Sequence, residues 1–244
     1  MIRRGFTLLE LMVTMAIGGL LLVLAASILG QAGRTYTRGS DGIAAEREAR
    51  AALALLSDDL AQAIWHTDSK FLSSDNHGWR QDELGLLSLQ APDAQSTTGR
   101  NGDLCAVHYQ LRDLTLGNQV VRCLTRGFHD SGTVFPALTE KSLPSLFAPR
   151  DQDEPLAFGV VAFEAHALVR EDDGELRDWP PDPTRTRGPD FLRIRLVIAR
   201  RDLLAKLTRS ADWDAHRLLG NSSSAANHPQ LEVHESLLRF GHHD

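Results

Sequence analysis

The sequence predicts an α+β protein in which a long N-terminal helix, apolar in its first half and amphipathic in its second, packs on an antiparallel β-sheet headgroup. Residues 11–29 carry no charge, apolar residues then recur at helical spacing over 43–66, and the later pattern alternates with a period of two. The 244 residues are 42% hydrophobic and 24% charged, a globular composition that excludes a disordered or collagen-like chain.

The uncharged run at 11–29, LMVTMAIGGLLLVLAASIL, is long enough to cross a bilayer as one helix, and we expect a transmembrane helix over 6–30. The alternative is a cleaved secretory signal, but the run is longer than a usual signal core and only a weak cleavage sequence, at 24–27, lies in it. Arginines precede the run at 3 and 4 and follow it at 34 and 38, so the charge balance hardly distinguishes the two orientations.

Glu10 stands at the start of this apolar run. A carboxylate at the centre of a membrane helix costs about 2.5–3.5 kcal/mol, and less near a helix end. Glu10 therefore either reaches the membrane interface or pairs with a cation at the same depth.

The residues around Glu10 resemble a known signal. Arg3-Arg4-Gly5-Phe6-Thr7-Leu8-Leu9-Glu10 followed by an apolar run is similar to the type IV prepilin signal, which has a short basic leader, Gly, Phe, then Thr-Leu-hydrophobic-Glu. The resemblance covers about 25 residues, and every position of the pattern matches. The larger layout resembles the pseudopilin J or minor pilin W branch more weakly.

The resemblance implies processing and assembly. A prepilin peptidase would remove the leader 1–5 by cutting between Gly5 and Phe6, and the new amine of Phe6 would be methylated. That amine, on a neighbouring subunit, would be the cation that pairs with Glu10 and sets the register of packed helices. The implied partners are the prepilin peptidase, other pilin or pseudopilin subunits, the membrane and the assembly platform of the inner membrane.

After the apolar run, glycines at 30, 33, 39 and 42 each weaken a helix by about 1 kcal/mol relative to Ala, so we expect a flexible segment at 31–42. An amphipathic helix is predicted at 43–66, with Asp41 as its N-cap. Its apolar side is formed by Ile43, Arg47, Leu53, Leu56, Leu60 and Ile64, while Glu46, Glu48, Arg50, Asp58 and Asp59 lie mostly elsewhere.

The headgroup, 67–244, should be rich in β-structure. Strands are predicted at 84–90, 104–111, 119–126, 156–170 (one long strand or a bent pair) and 191–199, with a turn at 171–174 and a short helix at 201–207. In 191–199, Leu192, Ile194, Leu196 and Ile198 should face inward and Arg193 and Arg195 outward. Residues 221–227 are rich in Ser, Ala and Asn and are expected to be mobile.

Cys105 and Cys123 fall on the two strands of the predicted hairpin. They form either a cross-strand disulfide, if they are directly opposed, or two buried free thiols. The sequence holds no metalloprotease, P-loop, dinucleotide or serine-hydrolase motif, so we expect no cofactor, no metal and no enzymatic activity.

A nucleic-acid partner is not expected, since the formal net charge is −6. The arginine cluster to consider is Arg185, Arg187, Arg193, Arg195, Arg200 and Arg201, with Asp182, Asp190 and Asp202 diluting its field. The favoured interpretation is a minor pilin or pseudopilin, a structural subunit in the inner membrane with a cytoplasmic N terminus and an extracytoplasmic headgroup. The alternatives are a signal-anchored binding protein, for adhesion or DNA uptake, and a tethered enzyme.

Overall fold

The structure is a computed structural model that describes residues 8–76, 78–95, 100–179, 187–215, 218–220 and 222–241. The side chains of residues 9–11, 14, 16, 24, 25, 28–45, 215, 223 and 224 lie outside this description. The chain divides into two compact units, Met1–Ala44 and Ala45–Asp244.

Strands outnumber helices along the described ranges. The helices are α1 Leu8–Ala61, α2 Ser131–Thr139, α3 Arg201–Leu204 and α4 Ser210–Ala215, and 3₁₀ turns cover Pro92–Ala94, Leu143–Phe147 and Ser222–Asn227. The strands are β1 Ala63–Ile64, β2 Lys70–Leu72, β3 Asp75–Asn76, β4 Trp79–Arg80, β5 Glu83–Leu89, β6 Leu104–Leu116, β7 Gln119–His129, β8 Glu154–Phe158, β9 Val160–Arg170, β10 Leu176–Asp178, β11 Phe191–Ala199 and β12 Leu231–Arg239.

The strands form two antiparallel sheets and a small hairpin. Sheet one has the order β1-β5-β6-β7-β8, with β2 also pairing β5, and sheet two has the order β10-β9-β11-β12. Within the described part of the chain, β3 and β4 pair only with each other. The predicted α+β class with an antiparallel headgroup is confirmed.

The first unit contains the N-terminal part of α1. Its backbone is helical throughout 31–42, because glycine lowers helix propensity without forbidding the helix. Asp41 lies inside this helix rather than at its N-cap. The flexibility of 31–42 stays a prediction.

The second unit is built on the C-terminal part of α1. Ala49, Ala52, Leu56 and Leu60, at three- and four-residue spacing, are each at most 2% exposed and pack against apolar side chains of both sheets. Two alanines in this stripe allow the helix to approach the sheets closely. The predicted apolar side of the 43–66 helix is only partly right. Leu53 is partly buried and Arg47 is exposed.

The helix ends earlier than the predicted residue 66. α1 stops at Ala61, and Ile64, predicted to be on its apolar side, lies in β1 and is 39% exposed. The Gly241 N–H donates to the Leu60 carbonyl at 2.7 Å, which satisfies one of the acceptors left open at a helix C-terminus.

The central hairpin of sheet one is confirmed and is longer than predicted. β6 and β7 pair continuously from Leu116 opposite Gln119 to Ala106 opposite His129. Gly117 makes the turn with a φ of 63°, a conformation that glycine adopts without steric cost.

The predicted strand at 156–170 is a bent pair. β8 belongs to sheet one and β9 to sheet two, and Gly159 between them has a φ of 75°. A Cβ at Gly159 would lie 3.3 Å from the Ala199 carbonyl oxygen. This glycine therefore lets the chain pass from one sheet to the other.

Several elements were not predicted. α2 and the Leu143–Phe147 turn cover the outer face of sheet one over Leu87 and Ala106. Ser222–Asn227 is a 3₁₀ turn with Ala225 fully buried, and the expected mobility of 221–227 stays a prediction. β12 was missed because its sequence, LEVHESLLR, alternates poorly.

Candidate functional site

The residues predicted for processing and docking lie at the N-terminal end of the chain. Gly5 and Phe6 are outside the described residues. Glu10 lies in the first turn of α1, and its side chain is also outside the description. The structure therefore gives the helical setting of Glu10, and its pairing stays a prediction.

The helix that follows Glu10 exposes a large apolar surface within the first unit. The apolar side chains that are at least half exposed are Leu8, Met12, Met15, Ile17, Leu20, Leu21, Leu22 and Val23. Such a surface marks contact with another protein or with lipid. Among the described residues, no helix meets the length and hydropathy needed to cross a membrane, and the span at 6–30 stays a prediction.

In the second unit, the C-terminal end of α1 buries a carboxylate. Arg126 donates from Nε and Nη2 to Asp59 at 2.7 and 3.0 Å, Tyr109 donates its hydroxyl, and Gln90 donates from Nε2 at 2.9 Å. Burial acts to lower the pKa of Arg126, but Asp59 offsets this, and the pKa lies above its usual value. The network fixes this end of α1 to strands β6 and β7.

Sequence reasoning placed Asp59 on the polar side of the helix. The signal that could have found it is its spacing, since Asp59 lies three residues after Leu56 and seven after Ala52, which places it on the apolar side of the helix.

A second buried charged cluster joins the outer face of sheet one to the loop before β8. His108 Nε2 lies 3.0 Å from Asp153 Oδ2, and these side chains are 2% and 0% exposed. The Arg150 N–H also donates to Asp153, at 2.8 Å, and Arg150 Nη2 donates to the Phe128 carbonyl.

This cluster perturbs the acid–base behaviour of its members. Burial lowers the pKa of His108 despite the neighbouring Asp153, and burial together with Arg150 lowers the pKa of His129 to about 4. Burial acts to raise the pKa of Asp153, but the Arg150 N–H and His108 offset it, so that pKa lies below its usual value. Both imidazoles are therefore neutral at neutral pH, and the cluster serves to hold the loop.

The two cysteines are not brought together. Cys123 lies opposite Arg112, whereas Cys105 lies seven residues before Arg112 on β6, or about 23 Å along the strand. Both thiols are free and 0% exposed, so of the two alternatives the structure has two buried thiols and not the cross-strand disulfide. Burial raises the pKa of Cys105 to about 11 and that of Cys123 to about 12, which makes both poor nucleophiles.

The predicted arginine cluster is largely paired with carboxylates. Arg187 pairs with Asp190, Arg193 with Glu235, Arg195 with Glu164 and Arg200 with Glu232. Arg185 lies outside the described residues. These ion pairs reduce the positive field that nucleic-acid phosphates need.

An open cavity of about 600 Å³ lies at one end of sheet two. It is lined by Arg170, Glu171, Asp172, Arg187, Asp190, Phe191 and Arg239, so three guanidinium groups face three carboxylates. The balanced lining favours neither an anion nor a cation. In the part of the chain that the structure describes, no group of three or more metal-ligating side chains comes together.

Comparison with known proteins identifies the N-terminal segment. Residues 1–26 match a family model described as the prokaryotic N-terminal methylation motif. This match supports a type IV prepilin-like protein, and the motif implies processing by a prepilin peptidase and assembly with other pilin subunits. No curated protein and no solved structure matches the chain. The resemblance to one particular branch stays a prediction.

Proposed function

We propose that this chain is a minor pilin or pseudopilin, a membrane-anchored structural subunit of a type IV pilus or a type II secretion pseudopilus, and not an enzyme. The observation that carries the proposal is the match of residues 1–26 to the N-terminal methylation motif. The exposed apolar surface of α1 and the separately folded headgroup are consistent with a subunit that assembles through its N-terminal helix.

Processing begins at the leader 1–5. Gly5 has no side chain, so the backbone at the Gly5–Phe6 bond can enter a peptidase cleft in an extended form. Cleavage removes Arg3 and Arg4 and creates an amine on Phe6, which is then methylated. The subunit keeps its N terminus at the cytoplasmic side of the inner membrane and its headgroup outside.

Assembly then depends on Glu10. Its carboxylate pairs with the Phe6 amine of a neighbouring subunit within packed apolar helices. An unpaired charge in such surroundings is costly, so only registers that bring the two groups together are favourable. Apolar packing supplies the attraction between helices, and the ion pair supplies the register.

The experiment compares Glu10→Ala with the matched control Glu46→Ala in cells that assemble the filament. Glu46 lies on the same helix, 43% exposed, in an ion pair with Arg50. We expect both variants to be cleaved normally, while incorporation of Glu10→Ala falls at least about tenfold, which corresponds to a loss of 1.4 kcal/mol. The measurements are the mass of the N-terminal peptide and the amount of protein in sheared filaments. Normal incorporation of Glu10→Ala would contradict the pairing.

A further inference from the structure

β12 is an edge strand of sheet two. Its nine residues pair with β11 in unbroken register, from Leu231 opposite Ala199 to Arg239 opposite Phe191. No strand pairs with its other side among the described residues. Among the described residues, this edge is therefore without a partner strand, although at its start the Leu231 N–H donates to the His228 carbonyl at 3.2 Å.

Two hydrogen bonds at the ends of the strand define which groups face outward. The Arg200 N–H donates to the Gln230 carbonyl and the Phe240 N–H donates to the Asp190 carbonyl, both at 2.9 Å. The main-chain groups of the even-numbered residues of β12 therefore bond to β11, and the odd-numbered residues direct their N–H and C=O groups away from β11. Val233, Glu235 and Leu237 have outward main-chain groups, and no hydrogen bond to them is found within the described ranges.

This edge lacks the proline, the register shift and the short length that are seen at two other edges, β8 and β10. β8, at the edge of sheet one, contains Pro155 and a register shift opposite Leu124 and Thr125. β10, at the opposite edge of sheet two, has only three residues. β12 has no proline, no lysine and no bulge, and of the features by which natural edge strands avoid pairing with another chain it carries charged side chains, Glu232, Glu235 and Arg239.

The side chains next to these outward groups complement those of an identical strand. In an antiparallel pair centred on Leu237, that side chain, 49% exposed, meets Leu237 of a second copy. Glu235, whose carboxylate also lies 3.8 Å from Arg193 Nε of its own chain, then lies opposite Arg239 of the second copy, and the reverse pair forms as well. An antiparallel pair centred on Glu235 would instead place two carboxylates opposite each other. A pair centred on Ser236 would place Glu235 opposite Leu237 of the second copy.

We propose that β12 pairs with β12 of a second copy in antiparallel register about Leu237, which joins two four-stranded sheets into one of eight strands. The association is closed and two-fold, unlike the open assembly expected of N-terminal helices. It rests on the headgroup alone and goes beyond the proposed function.

The test uses the full-length chain in its native membrane with Leu237→Cys and a short bis-maleimide cross-linker. Leu116→Cys, at a side chain 51% exposed in β6, is the matched control. The native cysteines are fully buried and should not react. We expect a cross-linked species of twice the monomer mass with Leu237→Cys only. A yield no higher than that of the control, or a product of any other mass, would overturn the proposal.

Charge exchange tests the register in the Leu237→Cys background. Glu235→Arg and Arg239→Glu should each lower the dimer yield several-fold, and the double exchange should restore it. Failure of the double exchange to restore the dimer would overturn the register about Leu237. N-terminal cleavage should be unchanged in all these variants, and Glu10→Ala should leave the cross-link intact, so failure of the pairing is distinguishable from failure of the proposed function.

Discussion

Replacement of Asp59 by alanine should destabilise the headgroup by about 3–5 kcal/mol, because it leaves the guanidinium of Arg126 buried without its counter-charge. The two side chains are 2% and 13% exposed. Since some solvent reaches Arg126, we expect the loss near the lower end of this range, about 3 kcal/mol. That is a large part of the 5–15 kcal/mol that typically stabilises a folded domain.

The assay is urea unfolding of the full-length chain in mild detergent, followed by the fluorescence of buried tryptophans such as Trp79 and Trp213. Four proteins form a double-mutant cycle: wild type, Asp59→Ala, Arg126→Ala and the double variant. The double variant should lose less stability than the sum of the single variants, because removal of both partners leaves no unpaired charge.

Glu46→Ala is the control on the same helix. Its ion pair with Arg50 is exposed, so its loss should cost only about 0.3–0.5 kcal/mol. If Asp59→Ala costs no more than this control, or if the cycle shows no coupling, the network does not fix α1 to the strands as described.

Two further predictions concern the buried histidines and thiols. The folded-state pKa values of His108 and His129 lie below the usual 6.5, so in acid the unfolded chain binds more protons than the folded chain. The free energy of unfolding that these two groups contribute should therefore be fully present above about pH 6.5 and should fall as the pH drops toward about 4. The urea midpoint should therefore be lower near pH 5 than near pH 7.5, His129→Gln should reduce the difference, and equal midpoints would refute the assignment. Cys105 and Cys123 should resist maleimide in the native protein and react fully in denaturant without reductant, whereas a chain that needs reductant would contain the disulfide that the structure lacks.

The sequence predicted those parts of the headgroup in which local pattern and burial agree. β11 has strong alternation, and Leu192, Ile194, Leu196 and Ile198 are buried as expected. The β6–β7 hairpin was found because Gly117 and Asn118 mark its turn.

The remainder depends on long-range contacts that no local pattern contains. Asp59 is buried because Arg126 and Tyr109, far along the chain, satisfy its carboxylate. Cys105 and Cys123 were assigned to the correct hairpin, but the register that separates them depends on strands longer than the pattern showed. β12 is a strand because β11 offers a paired edge, since its own alternation is weak. The N-terminal signal could be predicted because it is a short contiguous motif that needs no long-range contact.

The most direct test of the central claim is the intact mass and N-terminal sequence of the chain purified from native membranes. The proposed function predicts a chain that begins at N-methyl-Phe6 and lacks residues 1–5. A chain that begins at Met1, in cells with an active prepilin peptidase, would contradict it and leave the N-terminal segment as a membrane anchor alone.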